Sequence, residues 1–196
     1  MSGTPTLDDT LKVAEDVLEA LGTHHVDAVM VGAMALAVHG YPRDTVDLDL
    51  AVAMDPPVLH QVASALVARG YDVEVRDPDA GDPLGGVMDV RSTGADLVQV
   101  INFLNPPSGG FPRLVADALE EATPLVEGGA LRVVDPYHLV VFKIYAGGPK
   151  SLLDILELLE RNPSLDRSRL MSICKAYRLH RELERILKLA GDDLIR

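Results

Sequence analysis

The chain has 196 residues, of which 47% are hydrophobic and 24% charged, a length that allows one full core plus a smaller helical appendage but not several independent domains. Aromatic residues make up only 4%, so an ordinary globular core packed by Val, Leu and Ala is expected. The net charge of −12 argues against broad, unaided binding to nucleic acid, whose affinity comes mainly from Lys and Arg displacing counterions.

Leu7, Leu11, Ala14, Val17, Leu18 and Leu21 recur at helical spacing, and Gly22 follows as a stop. Ala28 to Val31 reads as a buried strand ending at Gly32-Ala33, before a helical stretch from Met34 to His39 that Gly40-Tyr41-Pro42 breaks. From Thr45 to Ala53 polar and apolar residues alternate, which predicts a strand with Asp47 and Asp49 on one face and Leu48 and Leu50 on the other. Asp55-Pro56 opens a helix running to Ala68, and Tyr71 to Val75 reads as a strand. Asp77 to Gly86 and Asn105 to Pro112 are rich in Asp, Gly and Pro and predict loops. Between them, Val87–Arg91 and Ala95–Phe103 flank Ser92-Thr93-Gly94 as a β-hairpin. A weaker helix near 114–121 and a short strand around 131–134 precede Asp135-Pro136, an N-cap with a favourable first residue. The apolar helix that follows is interrupted at Gly147-Gly148-Pro149, and helical patterns continue to Leu194, broken only near Asn162-Pro163. The expected division is therefore a mixed αβ domain over 1–134 and a helical region over 135–196.

Two Asp at i and i+2 on a strand hold their carboxylates on one face with Cα atoms roughly 6.5 Å apart. That lets them share a pair of hard cations such as Mg²⁺ or Mn²⁺, whose role in phosphoryl transfer is to neutralise the attacking and leaving oxygens. The plain alternative is a solvated edge strand. Gly32, at a strand-to-helix turn, would let backbone N–H groups approach a triphosphate, or be only a tight connection. Lys143, inside the apolar run LVVFKIY, must reach water, a carboxylate or a phosphate, and Asp154, within LLDIL, poses the same problem with opposite sign. Arg43 could clamp a phosphate or pair with Asp44 or Asp47, and His39 reads as a packing or hydrogen-bonding residue at a helix end.

Together Val31-Gly32-Ala33 and, after thirteen intervening residues, Asp47-Leu48-Asp49 resemble the hG[GS]…Dh[DE]h signature of the nucleotidyltransferase superfamily related to DNA polymerase β. The fuller run VGAMALAVHGYPRDTVDLDLAV, with Ala35, His39-Gly40, Arg43 and Thr45, looks like the bacterial AbiEii-like and minimal nucleotidyltransferase families. Lys143…Ala146…Lys150…Asp154-Ile155 resembles a segment that follows the catalytic domain in those families. The resemblance implies an α/β (α+β) fold, a mixed sheet flanked by helices with a C-terminal helical segment. It also implies a Mg²⁺-dependent enzyme that takes an NTP, with Asp47 and Asp49 as metal ligands and a third carboxylate on a neighbouring strand. Asp96 resembles that third group best, with Asp89 as the competitor. Gly32, Ala33, Arg43 and Lys143 would bind the nucleotide. The acceptor could be tRNA, protein or a small molecule, and the AbiEii likeness implies a toxin–antitoxin role with an antitoxin protein as partner.

Two departures bear on catalysis: Ala33 stands where Gly or Ser is usual, and Gly147-Gly148-Pro149 replaces an Arg common before the second lysine. Residues 161–196 carry nine Lys and Arg against five Asp and Glu, a basic stretch that could meet RNA, an acidic partner or the chain's own acidic part, or be a solvated helical face. MSGTPTLDDT lacks the features of a secretory signal, no segment is long and apolar enough for a bilayer, and Cys174 is the single cysteine, so a cytoplasmic protein without membrane partners is expected.

Overall fold

The structure, a computed structural model, describes residues 5–43, 47–78, 82–106, 111–189 and 191. Asp44, Thr45 and Val46 at the start of the expected second strand, the tips of the two Pro/Gly-rich loops, and the expected helical end at Leu194 lie outside the described residues.

Helix α1 (Leu7–Gly22) starts at Thr6, whose hydroxyl accepts the Asp9 N–H at 3.2 Å, and Asp8 and Asp9 in its first turn complement the helix dipole. Its apolar face, including Val13, Val17 and Leu21, is buried. Strand β1 (Val29–Val31) runs directly into α2 (Gly32–Val38), and β2 (Leu48–Val52) returns antiparallel beside β1. Next come α3 (Pro56–Ala68), β3 (Asp72–Arg76), β4 (Val87–Arg91), β5 (Val98–Asn102), α4 (Pro112–Glu121), β6 (Thr123–Pro124) and β7 (Arg132–Val133). Four helices close the described chain: α5 (Pro136–Ala146), α6 (Gly148–Arg161), α7 (Arg167–Ala176) and α8 (His180–Leu189).

The strands form one mixed sheet in the order β3-β4-β5-β2-β1-β7-β6. β2 lies parallel to β5 and β1 parallel to β7, while the other neighbours are antiparallel. This is the expected mixed sheet flanked by helices. On β2 the alternation holds: Leu48, Leu50 and Val52 are fully buried, and Asp49 faces the other way. One continuous apolar core takes side chains from the sheet and from α1 through α8.

Two local expectations differ, and one short strand was not anticipated. The second hairpin strand begins at Val98 rather than Ala95, because the backbone N–H of Asp96 donates to the Thr10 hydroxyl of α1 at 2.9 Å instead of continuing the ladder. The C-terminal helices break a second time at Tyr177 to Leu179, where Arg178 takes φ 61 and the Leu179 N–H returns to the Cys174 carbonyl at 2.8 Å. That is a left-handed helix stop made without Gly, Asn or Pro, so no residue type announced it. β6, two residues long, is too short to show any period. Among the described residues no helix is long and apolar enough to cross a membrane.

Candidate active site

The register of β1 against β2 places Val31 opposite Asp49, so the chain turns into α2 at the point where the Asp49 side chain stands. Gly32 makes this possible. Its φ is +69, and a Cβ there would lie 1.8 Å from Asp49 Oδ2, so any side chain would both strain the backbone and collide with the carboxylate. Ala33 follows, buried in the first turn of α2. The Asp49 carboxylate makes no hydrogen bond or ion pair with a described residue. Burial pushes its pKa up to about 6, and Asp47 adds to the rise, while Lys143, Lys150 and Arg43 oppose it. Asp47, one residue before β2, is exposed to water.

Two of those cations are fixed by one buried anion. Asp154 of α6, 1% exposed, accepts Lys143 Nζ of α5 at 2.7 Å on one oxygen and Arg43 Nη1 at 2.5 Å on the other. The buried cation in α5 and the buried anion in α6 thus answer each other, and Arg43 pairs with Asp154 rather than Asp47. The segment bearing Arg43 is tied to Val134 and to the helical region at further points. His39 Nε2 donates to the Val134 carbonyl at 2.7 Å, Asn162 Nδ2 donates to the His39 carbonyl at 2.9 Å, and the Arg161 guanidinium lies 5.1 Å from the Tyr41 ring centre.

Asp96 is not brought into this group. It precedes β5, its backbone N–H held by the Thr10 hydroxyl of α1, and it has no place in the β2–β5 register that begins at Leu48 and Val98. The β5 residue in register with Asp49 is Gln99, and the β4 residue in register with Gln99 is Asp89. Asp89 is buried and fully engaged: Arg76 donates to both oxygens at 3.1 and 3.2 Å, Arg91 donates at 3.1 Å and Gln99 at 2.8 Å. Among the described residues no cluster of three or more His, Cys, Asp or Glu forms a metal-holding group. Gln99 could not be singled out in advance, because which β5 residue sits beside Asp49 depends on register.

A cleft of about 320 Å³ opens from Gly32, Asp49 and Lys143 between the sheet and α5. Its far walls are Leu84, Ile101, Phe103, Phe142 and Tyr145. Phe103 and Phe142 meet edge to face at 5.1 Å, and Tyr145 packs on Phe111 at 4.3 Å. On the other side of the Arg43–Asp154 pair, Tyr41, Lys150 and Leu153 line a shallower hollow. Asp49 at the glycine turn, Asp47 just before β2 and the cations Lys143, Lys150 and Arg43 thus lie within electrostatic reach of one another at this end of the cleft.

No protein-family model and no curated protein matches this chain. Solved structures do. The antibiotic-resistance factor ANT(2'')-Ia aligns over 92% of this chain and 97% of its own, with TM-score 0.52 and 14% identity. An antigenic nucleotidyltransferase-like protein from Paracoccidioides brasiliensis aligns over 92% and 93%, with TM-score 0.51 and 20% identity. The Megavirus polyadenylate synthase aligns over 81% of this chain and 32% of its own, with TM-score 0.50 and 12% identity. At these identities the likeness is one of architecture, and the architecture this chain shares is the nucleotidyltransferase fold.

Proposed function

We propose that this chain is a metal-dependent nucleotidyltransferase that moves an NMP from an NTP to an acceptor hydroxyl and releases pyrophosphate. The observation carrying the reading is the Asp49 carboxylate, seated against the Gly32 backbone with no partner among the described residues and within the field of Lys143, Lys150 and Arg43. The donor set suits Mg²⁺ or Mn²⁺, being all oxygen, with Asp47 open to water so that phosphate oxygens and waters can complete the shell. The bound ion would supply neutralisation of the attacking and leaving oxygens. Asp47 and Asp49 would hold it, and the turn at Gly32 and Ala33 would admit the phosphates. Lys143 and Arg43, set in place by Asp154, would offset negative charge in the transition state. In the transfer the acceptor oxygen bonds to the α-phosphorus, the bond from that phosphorus to the pyrophosphate oxygen breaks, and the acceptor proton passes to solvent. In this reading residues 1–134 are the transferase unit, and 135–196 supply Lys143 and its anchor.

Among acceptors, a small molecule fits the cleft best. The fold is compatible with such chemistry: ANT(2'')-Ia, 15% identical with TM-score 0.51, was solved in complex with adenylyl-2''-tobramycin. A tRNA or protein acceptor, with an antitoxin as partner, is the version implied by the AbiEii likeness. Calorimetry with Mg²⁺ and each NTP, followed by pyrophosphate release over RNA, protein and small-molecule acceptors, tests the proposal. Asp47→Asn and Asp49→Asn should each abolish metal-dependent nucleotide binding with the fold intact, and unchanged affinity in both removes the reading.

A second reading, nucleotide binding without chemistry, is favoured by one observation: an amide, Gln99, stands beside Asp49 on β5. Ala33, which offers no hydroxyl, points the same way. Tight binding with no pyrophosphate release over the whole acceptor panel would select it.

A further inference from the structure

We infer that the cleft beside Asp49 receives the uncharged, mainly apolar body of a small-molecule acceptor, such as an aromatic or alicyclic alcohol. The inference rests on the transferase reading for the word acceptor, while the ligand class follows from the cleft itself. The chain has three phenylalanines, and all three join Tyr145 in one run of ring contacts, Phe142 on Phe103, Phe103 and Phe111 on Tyr145, with Phe103, Phe142 and Tyr145 lining the cleft. In a chain so poor in aromatics, that concentration against a cleft marks a surface suited to a flat apolar group.

The wall opposite α5 is held firmly. The Leu84 N–H donates to Asp82 Oδ1 at 2.8 Å, Asn105 Nδ2 donates to the Asp82 carbonyl at 2.6 Å, and the Gly85 N–H donates to the Asn102 carbonyl at 2.7 Å. A Cβ on Gly85 would come within 1.9 Å of the Leu104 carbonyl oxygen, so close packing there requires glycine. Leu84 is therefore presented to the cleft by a built turn.

The polar groups of the cleft decide between occupants. Among its described lining residues the charged side chains are Asp49 and Lys143, both needed by metal and phosphate, which leaves the Tyr145 hydroxyl. That hydroxyl is buried and, among the described residues, has no hydrogen-bond partner, a cost that a ligand atom accepting from it would relieve. A nucleobase carries several donors and acceptors along its edge, and one hydroxyl cannot satisfy them. A polycationic amino sugar would require a ring of carboxylates, and an RNA strand a track of cations. An apolar ring carrying the reacting hydroxyl at the Asp49 end and one acceptor atom near Tyr145 needs neither.

The test uses the full chain with labelled Ile, Leu and Met methyl groups and four probes: 2-naphthalenemethanol, adenosine, tobramycin and mixed tRNA, without metal or NTP. The expected result is saturable movement of the Ile101 and Leu84 methyls with 2-naphthalenemethanol alone, and its loss, at least tenfold in affinity, in Ile101→Glu and independently in Leu84→Lys. Methyl signals elsewhere in the core report whether either variant is misfolded. Movement of the same methyls by adenosine at lower concentration than by the alcohol would make this a base site and overturn the inference. Preference for tobramycin or tRNA, or no movement with any probe, would overturn it equally. A separate titration with Mg²⁺ and ATP tests the transferase reading. Its failure, with alcohol binding intact, would remove the reaction and leave the ligand class standing.

Discussion

Asp49 and Asp89 stand on the same face of the same sheet, separated laterally by Gln99, and they are treated in opposite ways. Asp89 is closed off: two arginines and an amide use its oxygens, and it is 2% exposed. Asp49 is left open: burial penalises its charge, its cations lie at a distance, and the Gly32 backbone packs against it without bonding to it. A satisfied buried carboxylate is structure, whereas one with no partner among the described residues, beside a cleft, is the kind of group that a ligand site uses. The same chemistry thus gives a clasp at one end of the row and, in the proposed reading, a ligand site at the other.

The sharpest way to break this contrast is Asp89→Ala. It strands Gln99 and separates β3 from β4 electrostatically, and it should cost about 3–5 kcal/mol in urea unfolding, as removal of one partner from a buried ion pair does. A loss below about 1 kcal/mol, the range of a surface ion pair, would mean that Asp89 is no clasp.

Gly32→Ala comes next. The methyl must displace the Asp49 carboxylate and hold an unfavourable φ, for an expected loss of about 2–3 kcal/mol together with metal binding. Retained Mg²⁺ affinity by calorimetry would separate Gly32 from the site.

Asp49→Asn should act with the opposite sign on stability. The folded state raises the Asp49 pKa from 3.8 to about 6, so its contribution is fully present below pH 4 and is lost as pH rises through about 6. Metal-free Asp49→Asn should therefore be more stable than the parent at pH 7.5, by up to about 3 kcal/mol for a shift of this size, with the advantage vanishing below pH 4. In the parent, Mg²⁺ affinity should climb with pH and level off above about 6. Thermal unfolding across pH checks the first expectation and calorimetry the second. A variant less stable than the parent at pH 7.5 would show that Asp49 has a partner after all.

The smallest effect is expected from Gln99→Glu, which places a third carboxylate between Asp89 and Asp49. Like-charge crowding against Asp49, offset by Arg76 and Arg91 on Asp89, should cost about 1 kcal/mol. Pyrophosphate release rising several-fold in this variant would support the reading of a binder that lacks one carboxylate. Unchanged turnover would leave Gln99 as packing.

Much of the αβ part was legible because its signals are local. Period two marked β2 and set Asp49 opposite Leu48 and Leu50, and an apolar run ending in Gly32 marked the turn into α2. The basic and acidic intruders in α5 and α6, Lys143 and Asp154, could be flagged as needing partners, but that Asp154 serves both Lys143 and Arg43 could not be read. Nothing near Tyr177-Arg178-Leu179 signals a helix end, and the break there is made by backbone geometry alone.

The residues alone determined the strands and helices with strong periods, the Asp47-Leu48-Asp49 pattern and the glycine that precedes it, since each depends on neighbours a few positions apart. Tertiary structure alone decided that Gln99 rather than Asp96 stands beside Asp49, and that residues 103, 111, 142 and 145 assemble into one aromatic wall. Strand register and helix docking are fixed by burial summed over the whole core, a quantity that no short stretch of sequence contains.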